Sequence, residues 1–184
     1  MFNKSLAFAL ALLAAPALAE GDGPGPNLII EVTGQANGQI VIDLAIDAAP
    51  LHVAQIVELA RSGAYDNVVF HRVIEGFMAQ TGDVQFGKAD GDLAMAGMGG
   101  SALPDLPAEF SDISYDRGIV GMARSQDPDS ANSQFFIMFA PGEFLNGQYT
   151  VIGKVISGME VVDQIARGEP PAKADVMVKV TVQQ

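Results

Sequence analysis

The sequence contains no cysteine and only two histidines, His52 and His71, among its 184 residues. The lack of thiols excludes disulfides, thiolate metal sites and cysteine nucleophiles. Two histidines are too few for a histidine-rich zinc site, and we expect neither a metal nor a cofactor. Basic residues are also scarce, with 10 Lys and Arg against 22 Asp and Glu. The resulting net charge of −12 argues against a nucleic-acid partner, because phosphates require a basic face.

Long apolar runs are absent except at the N-terminus. Residues 1–19 combine Lys4, an apolar run over residues 6–15 and the small-residue end Ala17-Leu18-Ala19, which is typical of a cleaved signal peptide. An uncleaved membrane anchor is the alternative, but the run is shorter than the ~20 residues that a span needs. We therefore expect a mature chain that begins at Glu20, has no membrane span and is periplasmic or, second, secreted.

The remaining composition favours one compact domain. Residues 20–26 are rich in Gly and Pro and predict a flexible lead-in, and residues 27–184 form the predicted domain. The chain holds 20 Gly and 10 Pro with 49% apolar residues, which indicates a mainly β architecture with short loops.

Periodicity places the elements. Two β-rich runs, residues 27–32 and 39–46, predict a hairpin, and further strands are expected over residues 113–124, 134–139, 149–155 and 176–182. If residues 134–139 form a regular strand, Phe136 shares a face with Gln134, and the core face carries Phe135, Ile137 and Phe139. A helix is predicted from Pro50 to Gly63, with His52 on its surface, and a second short helix between Gly158 and Gly168. The glycine-rich residues 87–101 are not followed by the Gly-Lys-Ser/Thr of a phosphate loop, and they predict a mobile loop bordering a site.

The most informative stretch is residues 70–83. If residues 70–74 form a strand, Phe70, Arg72 and Ile74 share one face, and Gly76 then allows the chain to kink. The charged side chain of Arg72, the apolar pair Phe77 and Met78, and the amide of Gln80 would then surround one concavity. Taken singly, Phe70, Phe77 and Met78 are better interpreted as ordinary core, and only their combination with the later segments favours a site.

This stretch also resembles a known family. Residues 70–74 (Phe-His-Arg-Val-Ile), 76–78 (Gly-Phe-Met) and Gln80 are similar to the signature of the cyclophilin-type peptidyl-prolyl cis-trans isomerases, and residues 121–124 and 133–137 to its second signature. Arg124 after Met-Ala resembles the bacterial exported branch. Two departures, Glu75 for Pro and Thr81 for Gly, are interpreted as turn positions.

The resemblance implies a closed eight-stranded antiparallel β-barrel capped by two α-helices, and an enzyme that speeds the folding of exported proteins. Its partners would be proline-containing peptides and unfolded exported proteins, and we expect a monomer. Arg72 would be catalytic. The residues expected to bind substrate are Phe77, Met78, Gln80, Ala123, Arg124, Gln134, Phe136, Phe144, Leu145 and Tyr149.

The family commonly has Trp and His where this chain has Phe144 and Tyr149. Both replacements keep aromatic surface, but the indole N–H donor is lost. The resemblance therefore implies weak cyclosporin binding.

Several alternatives stay open. The same pocket would serve a chaperone or scaffold module that holds proline segments with little turnover, and a β domain with no site is a third reading. Gln134 is also compatible with a solvated strand end, and His71 with a structural histidine. Asp127 and Asp129 suggest a calcium loop but lack its Gly and terminal Glu.

Overall fold

The computed structural model describes residues 23–184, so the predicted signal peptide and the first residues of the lead-in lie outside the described residues. Residues 23–26 form no helix or strand, and the amide of Gly23 donates to Asp43 Oδ2 at 2.9 Å. No helix within residues 23–184 is long and apolar enough to cross a membrane.

Nine strands, two α-helices and two short 3₁₀ helices, Leu93–Met95 and Glu143–Leu145, are found in the described chain. The strands are β1 (Asn27–Thr33), β2 (Gly38–Leu44), β3 (Val68–Val69), β4 (Arg72–Ile74), β5 (Met78–Thr81), β6 (Ile119–Met122), β7 (Phe135–Met138), β8 (Val151–Ser157) and β9 (Val176–Gln183). The α-helices are α1 (Pro50–Arg61) and α2 (Met159–Val162). The mainly β class and the β1–β2 hairpin are confirmed.

The strands form a single curled antiparallel sheet in the order β3-β9-β1-β2-β8-β6-β7-β5-β4. The expected closed barrel of eight strands is wrong, because β3 and β4 stand at opposite edges and no ladder joins them within residues 23–184. Phe70 and His71 interrupt the strand, and the Phe70 amide donates to Asp175 O at 2.9 Å. Residues 68–69 therefore pair with β9, and residues 72–74 pair with β5.

Helix α1 begins at Pro50, as predicted, and packs against β9 with Val53 and Ile56 buried. The prediction that His52 lies on the surface is wrong: its side chain is fully buried, and its Nδ1 lies 2.7 Å from Glu109 Oε2. The Glu109 carboxylate also accepts the amides of Leu51 and His52. First-turn amides have no partner inside a helix, so this carboxylate caps α1 from a distant loop and draws His52 inward.

Other elements are shorter than expected. The strand predicted over residues 113–124 begins only at Ile119, and the second helix ends at Val162.

Thr81 is not a turn residue, since it lies in β5 with its buried hydroxyl donating to Val69 O at 2.9 Å. Glu75 does lie in the turn between β4 and β5. The main core fills the inside of the sheet and includes Phe135, Ile137 and Phe139, as predicted.

Candidate active site

The β4–β5 hairpin positions Arg72. In its register Arg72 lies opposite Gln80, and Ile74 lies opposite Met78. Gly76 occupies the turn with φ 70°, a conformation that glycine adopts without strain. Because partners directly opposite in a ladder share a face, these four side chains lie on one face of the hairpin.

Strands β7 and β6 extend this face. Phe136 lies opposite Gln80 on one side and opposite Gly121 on the other. Its chain neighbours Phe135 and Ile137 belong to the main core. The alternation of β7 therefore separates the main core from the face that carries Arg72.

A second apolar cluster, here called the site cluster, covers this face. Its buried members are Met78, Tyr115, Ile119, Phe136, Met138, Leu145 and Val151, with Ile74, Phe77, Ala123 and Tyr149 packed against them. Six of the residues predicted to bind substrate are among these eleven. Phe144 lies at the rim, 66% exposed, with its ring centre 5.6 Å from that of Phe77.

Three polar side chains form a chain beside the site cluster. Arg72 Nη1 donates to Gln80 Oε1 at 3.3 Å, and Gln80 Nε2 donates to Gln134 Oε1 at 2.9 Å. Gln134 Nε2 in turn donates to the carbonyls of Gly97 at 3.0 Å and Gly99 at 2.7 Å. Gln134 is therefore not a solvated strand end, and it ties the glycine-rich loop to Arg72.

Asp83 also holds this loop. Its fully buried carboxylate accepts the amides of Gly97 at 2.7 Å and Gly99 at 3.0 Å, as well as that of Phe86 at 2.8 Å. A buried carboxylate needs such donors, because charge is costly to remove from water. Hydrogen bonds to Asp83 thus hold Gly97 and Gly99 at the border of the site. The mobility expected of this loop stays a prediction.

The side chain of Arg124 packs on Tyr149. Its guanidinium carbon lies 4.3 Å from the Tyr149 ring centre, and its Nη2 donates to Gln148 O at 2.9 Å. The Tyr149 ring meets Phe136 edge-on, with 6.0 Å between ring centres. Arg124 therefore supports one aromatic wall through a cation–π contact.

Tyr115 is a member of the site cluster that sequence reasoning missed. Its ring stacks on Phe136 with centres 5.8 Å apart and planes 22° apart. Burial raises the pKa of its hydroxyl, and the nearby Tyr149 adds to this. Tyr115 precedes β6 in an irregular segment, so no periodicity could have revealed it.

His71 is almost fully buried and lies just outside β4. Burial lowers its pKa, and the charge of Asp83 only partly offsets this effect. The imidazole is therefore neutral near pH 7, and its role as a structural histidine stays a prediction.

A cavity of about 530 Å³ lies beside the polar chain, lined by Gln80, Gln134, Ala123, Arg124 and the loop residues Gly97–Ser101 among others. Arg72 is not among its lining residues. Within residues 23–184 no three His, Asp or Glu side chains come together as a metal site would require.

Comparison with known proteins decides the family. The family model described as "Cyclophilin type peptidyl-prolyl cis-trans isomerase/CLD" matches residues 28–184. This chain is a cyclophilin. A probable peptidyl-prolyl cis-trans isomerase of Brucella suis is 52% identical, with 96% of this chain and 92% of the relative covered. A peptidyl-prolyl cis-trans isomerase of Acinetobacter baylyi is 37% identical over 70% of this chain and 67% of its own length.

Solved cyclophilins have the same architecture. One from Hirschia baltica superposes with a TM-score of 0.72 at 28% identity, covering 84% of this chain and 73% of its own. One from Cryptosporidium parvum, crystallised in the presence of the dipeptide Ala-Pro, gives a TM-score of 0.73 at 27% identity, covering 86% and 99%. The activity of this cyclophilin is therefore peptidyl-prolyl cis-trans isomerisation.

Proposed function

We propose that this cyclophilin is exported to the periplasm, where it accelerates the folding of exported proteins, and that Arg72 carries the catalysis. The observation that carries the role of Arg72 is its place on the hairpin. Its guanidinium lies opposite Gln80 and shares a face with Met78 of the site cluster. A permanently charged donor thus stands beside an apolar surface that suits a pyrrolidine ring.

The chemistry follows from the prolyl amide. Rotation about this bond breaks its resonance, and uncatalysed exchange takes tens to hundreds of seconds. In the twisted transition state the proline nitrogen regains a lone pair. A donor aimed at that nitrogen binds the transition state better than either planar ground state, which is the requirement for catalysis. Arg72 would be this donor.

The neighbouring residues would hold the substrate. Phe77, Met78 and Phe136, with Leu145 and Phe144, would bind the proline ring. Gln80, Gln134 and the backbone near Ala123 and Arg124 would bind the flanking peptide groups, while Tyr149 would close one side. This assignment rests on the site cluster and on the Gln80–Gln134 hydrogen bond of 2.9 Å.

The test is Arg72→Ala in an isomerisation assay with a short Ala-Pro peptide. We expect kcat/KM to fall roughly 10²-fold, the scale of losing one preorganised electrostatic donor. Arg61→Ala, at the exposed end of α1, is the control and should keep the wild-type rate. An Arg72→Ala protein that folds normally and turns over at the wild-type rate would refute the role.

The proposed export rests on residues 1–19, whose pattern is that of a signal peptide. Cell fractionation of the full chain should recover it in the periplasm with Glu20 as its first residue by mass spectrometry. A chain that starts with Met followed by Glu20 should stay in the cytoplasm. Recovery of the uncleaved chain from the cytoplasm would refute the localisation.

The folding role is tested by refolding an exported protein whose slow phase is limited by a prolyl bond. Catalytic amounts of wild-type protein should speed that phase, and Arg72→Ala should not. If both proteins suppress aggregation equally and neither changes the rate, the holding module is the better reading.

We also propose that cyclosporin binds weakly. The ring of Phe144 projects from the rim, and its carbon edge carries no N–H donor. This proposal depends on Phe144 occupying the place where the family commonly has Trp.

A further inference from the structure

A short segment after α2 covers the free edge of β4. The Val73 amide donates to Gly168 O at 2.8 Å, and the Gly168 amide donates to Val73 O at 2.9 Å. This exchange of two hydrogen bonds is the pairing of antiparallel strands. Residues 167–169 therefore lie beside the strand that carries Arg72, although they form only an isolated bridge there.

Two ion pairs flank this bridge. Arg72 Nε lies 2.8 Å from Glu169 Oε2, and Arg167 Nε lies 2.6 Å from Glu75 Oε2. On each of the two segments one charge is positive and the other negative. Aligned in the opposite direction, the segments would place Arg72 beside Arg167 and Glu75 beside Glu169, which are pairs of like charge. Glu75, which departs from the family signature, thus has a partner in this segment.

The start of the segment is anchored to the rest of the domain. The fully buried Asp175 accepts the amides of Ala166 at 2.7 Å and Ala36 at 2.8 Å. Arg167 also packs on the protein, with its guanidinium carbon 4.2 Å from the Phe139 ring centre. The carboxylate of Glu169 therefore approaches Arg72 from an anchored piece of backbone.

The guanidinium is consequently held on two of its three nitrogens. Nε donates to Glu169 and Nη1 donates to Gln80, while Nη2 makes no hydrogen bond to another residue of the described chain. We propose that Glu169 is a positioning residue for Arg72, fixing the plane of the guanidinium so that Nη2 faces the substrate. This inference rests on the proposed catalytic role of Arg72.

Glu169 has two opposing effects on catalysis. Its hydrogen bond orients the guanidinium, while its negative charge weakens the pull of Arg72 on the substrate. Both side chains are about half exposed, at 41% for Arg72 and 53% for Glu169, so water screens the charge at the distance of the substrate. The hydrogen bond acts at contact distance, and orientation is therefore the larger effect.

The experiment compares Glu169→Ala and Glu169→Gln in the Ala-Pro peptide assay at low salt. Glu169→Ala should lower kcat/KM about two- to fivefold, the range for an exposed ion pair. Glu169→Gln should fall in between, because its amide oxygen still accepts from Nε. The loss should appear in kcat, with peptide affinity unchanged by titration.

Two variants serve as controls. Glu31→Gln removes one negative charge on the exposed side of β1. Lys179→Gln, on β9, breaks the ion pair between Lys179 and Asp66. Both should keep the wild-type rate. The ratio of wild type to Glu169→Ala should shrink when salt rises from about 20 mM to about 500 mM, because salt screens the pair.

A double mutant separates the outcomes. If Glu169 acts through Arg72, the Arg72→Ala/Glu169→Ala protein matches Arg72→Ala alone. A further loss in the double mutant would overturn the positioning role. The same conclusion would follow if both Glu169 variants turned over at or above the wild-type rate while Arg72→Ala was slow. A wild-type rate in Arg72→Ala would instead refute the proposed role of Arg72 itself.

Discussion

Gly121 is the position where a single added methyl group should disturb the site. It lies opposite Phe136 in the sheet, and a Cβ built on it would stand 2.3 Å from Tyr115 Oη and 2.7 Å from Phe136 Cζ. Both distances are far inside van der Waals contact. The two rings are buried and stacked on each other, so neither can simply turn into solvent.

The cost of Gly121→Ala follows from this packing. Forcing an extra methyl into a filled core typically costs about 1 to 3 kcal/mol. For a domain of this size, that corresponds to a fall in Tm of roughly 2 to 12 °C. Because the Phe136 ring must move, kcat/KM should also fall, by roughly tenfold or more, since small misplacements at a site are amplified.

Thermal unfolding followed by circular dichroism and the Ala-Pro assay would measure both effects. Tyr115→Phe is the matched control, because the buried Tyr115 Oη has no hydrogen-bond partner within the described chain and its removal relieves the shortest contact. Tyr115→Phe alone should be close to wild type. Combined with Gly121→Ala, it should restore part of the lost stability. A Gly121→Ala protein with wild-type Tm and rate would refute the packing argument.

Three further outcomes are expected. Burial alone would raise the pKa of Glu109, but hydrogen bonds from His52 and Leu51 hold it below its usual value. Its stabilisation is thus present near pH 7 and lost as pH falls through this lowered pKa. Glu109→Gln should therefore cost about 1 to 3 kcal/mol at pH 7, and progressively less as urea titrations are repeated at lower pH. Phe144→Trp should tighten cyclosporin binding about three- to tenfold by calorimetry, the worth of one hydrogen bond; unchanged affinity would contradict the role of the missing donor. The isomerisation rate should be flat from pH 6 to 8, because the proposed chemistry uses no proton transfer and burial lowers the pKa of His71. A bell-shaped profile would instead indicate a titrating catalytic group.

Local features of the fold could be predicted because each depends on neighbours in the chain. The β1–β2 hairpin followed from two β-rich runs, and α1 from Pro50 and the spacing of Val53 and Ile56. The alternation of β7 predicted that Phe135 and Phe136 would lie on opposite faces, and they belong to different clusters.

Residues whose partners are distant in the chain could not be predicted. Thr81 was assigned to a turn, but its hydroxyl bonds to Val69 O across the sheet. His52 was assigned to the surface, but Glu109 reaches the start of α1 from a loop 57 residues away. The prediction of a closed barrel was wrong for the same reason, because only hydrogen bonding between strands distant in the chain decides whether the two edges of the sheet meet.

By itself the sequence determined which chemical groups are present and how they alternate along each strand, and through its motifs it indicated the family. Tertiary structure alone decided that Tyr115 stacks under Phe136, that Asp83 fastens the glycine-rich loop, and that Glu169 meets Arg72. The physical reason is the range of the interactions. Side-chain alternation is set by backbone geometry within a few residues, whereas these three contacts exist only after the sheet has curled and brought irregular segments onto it.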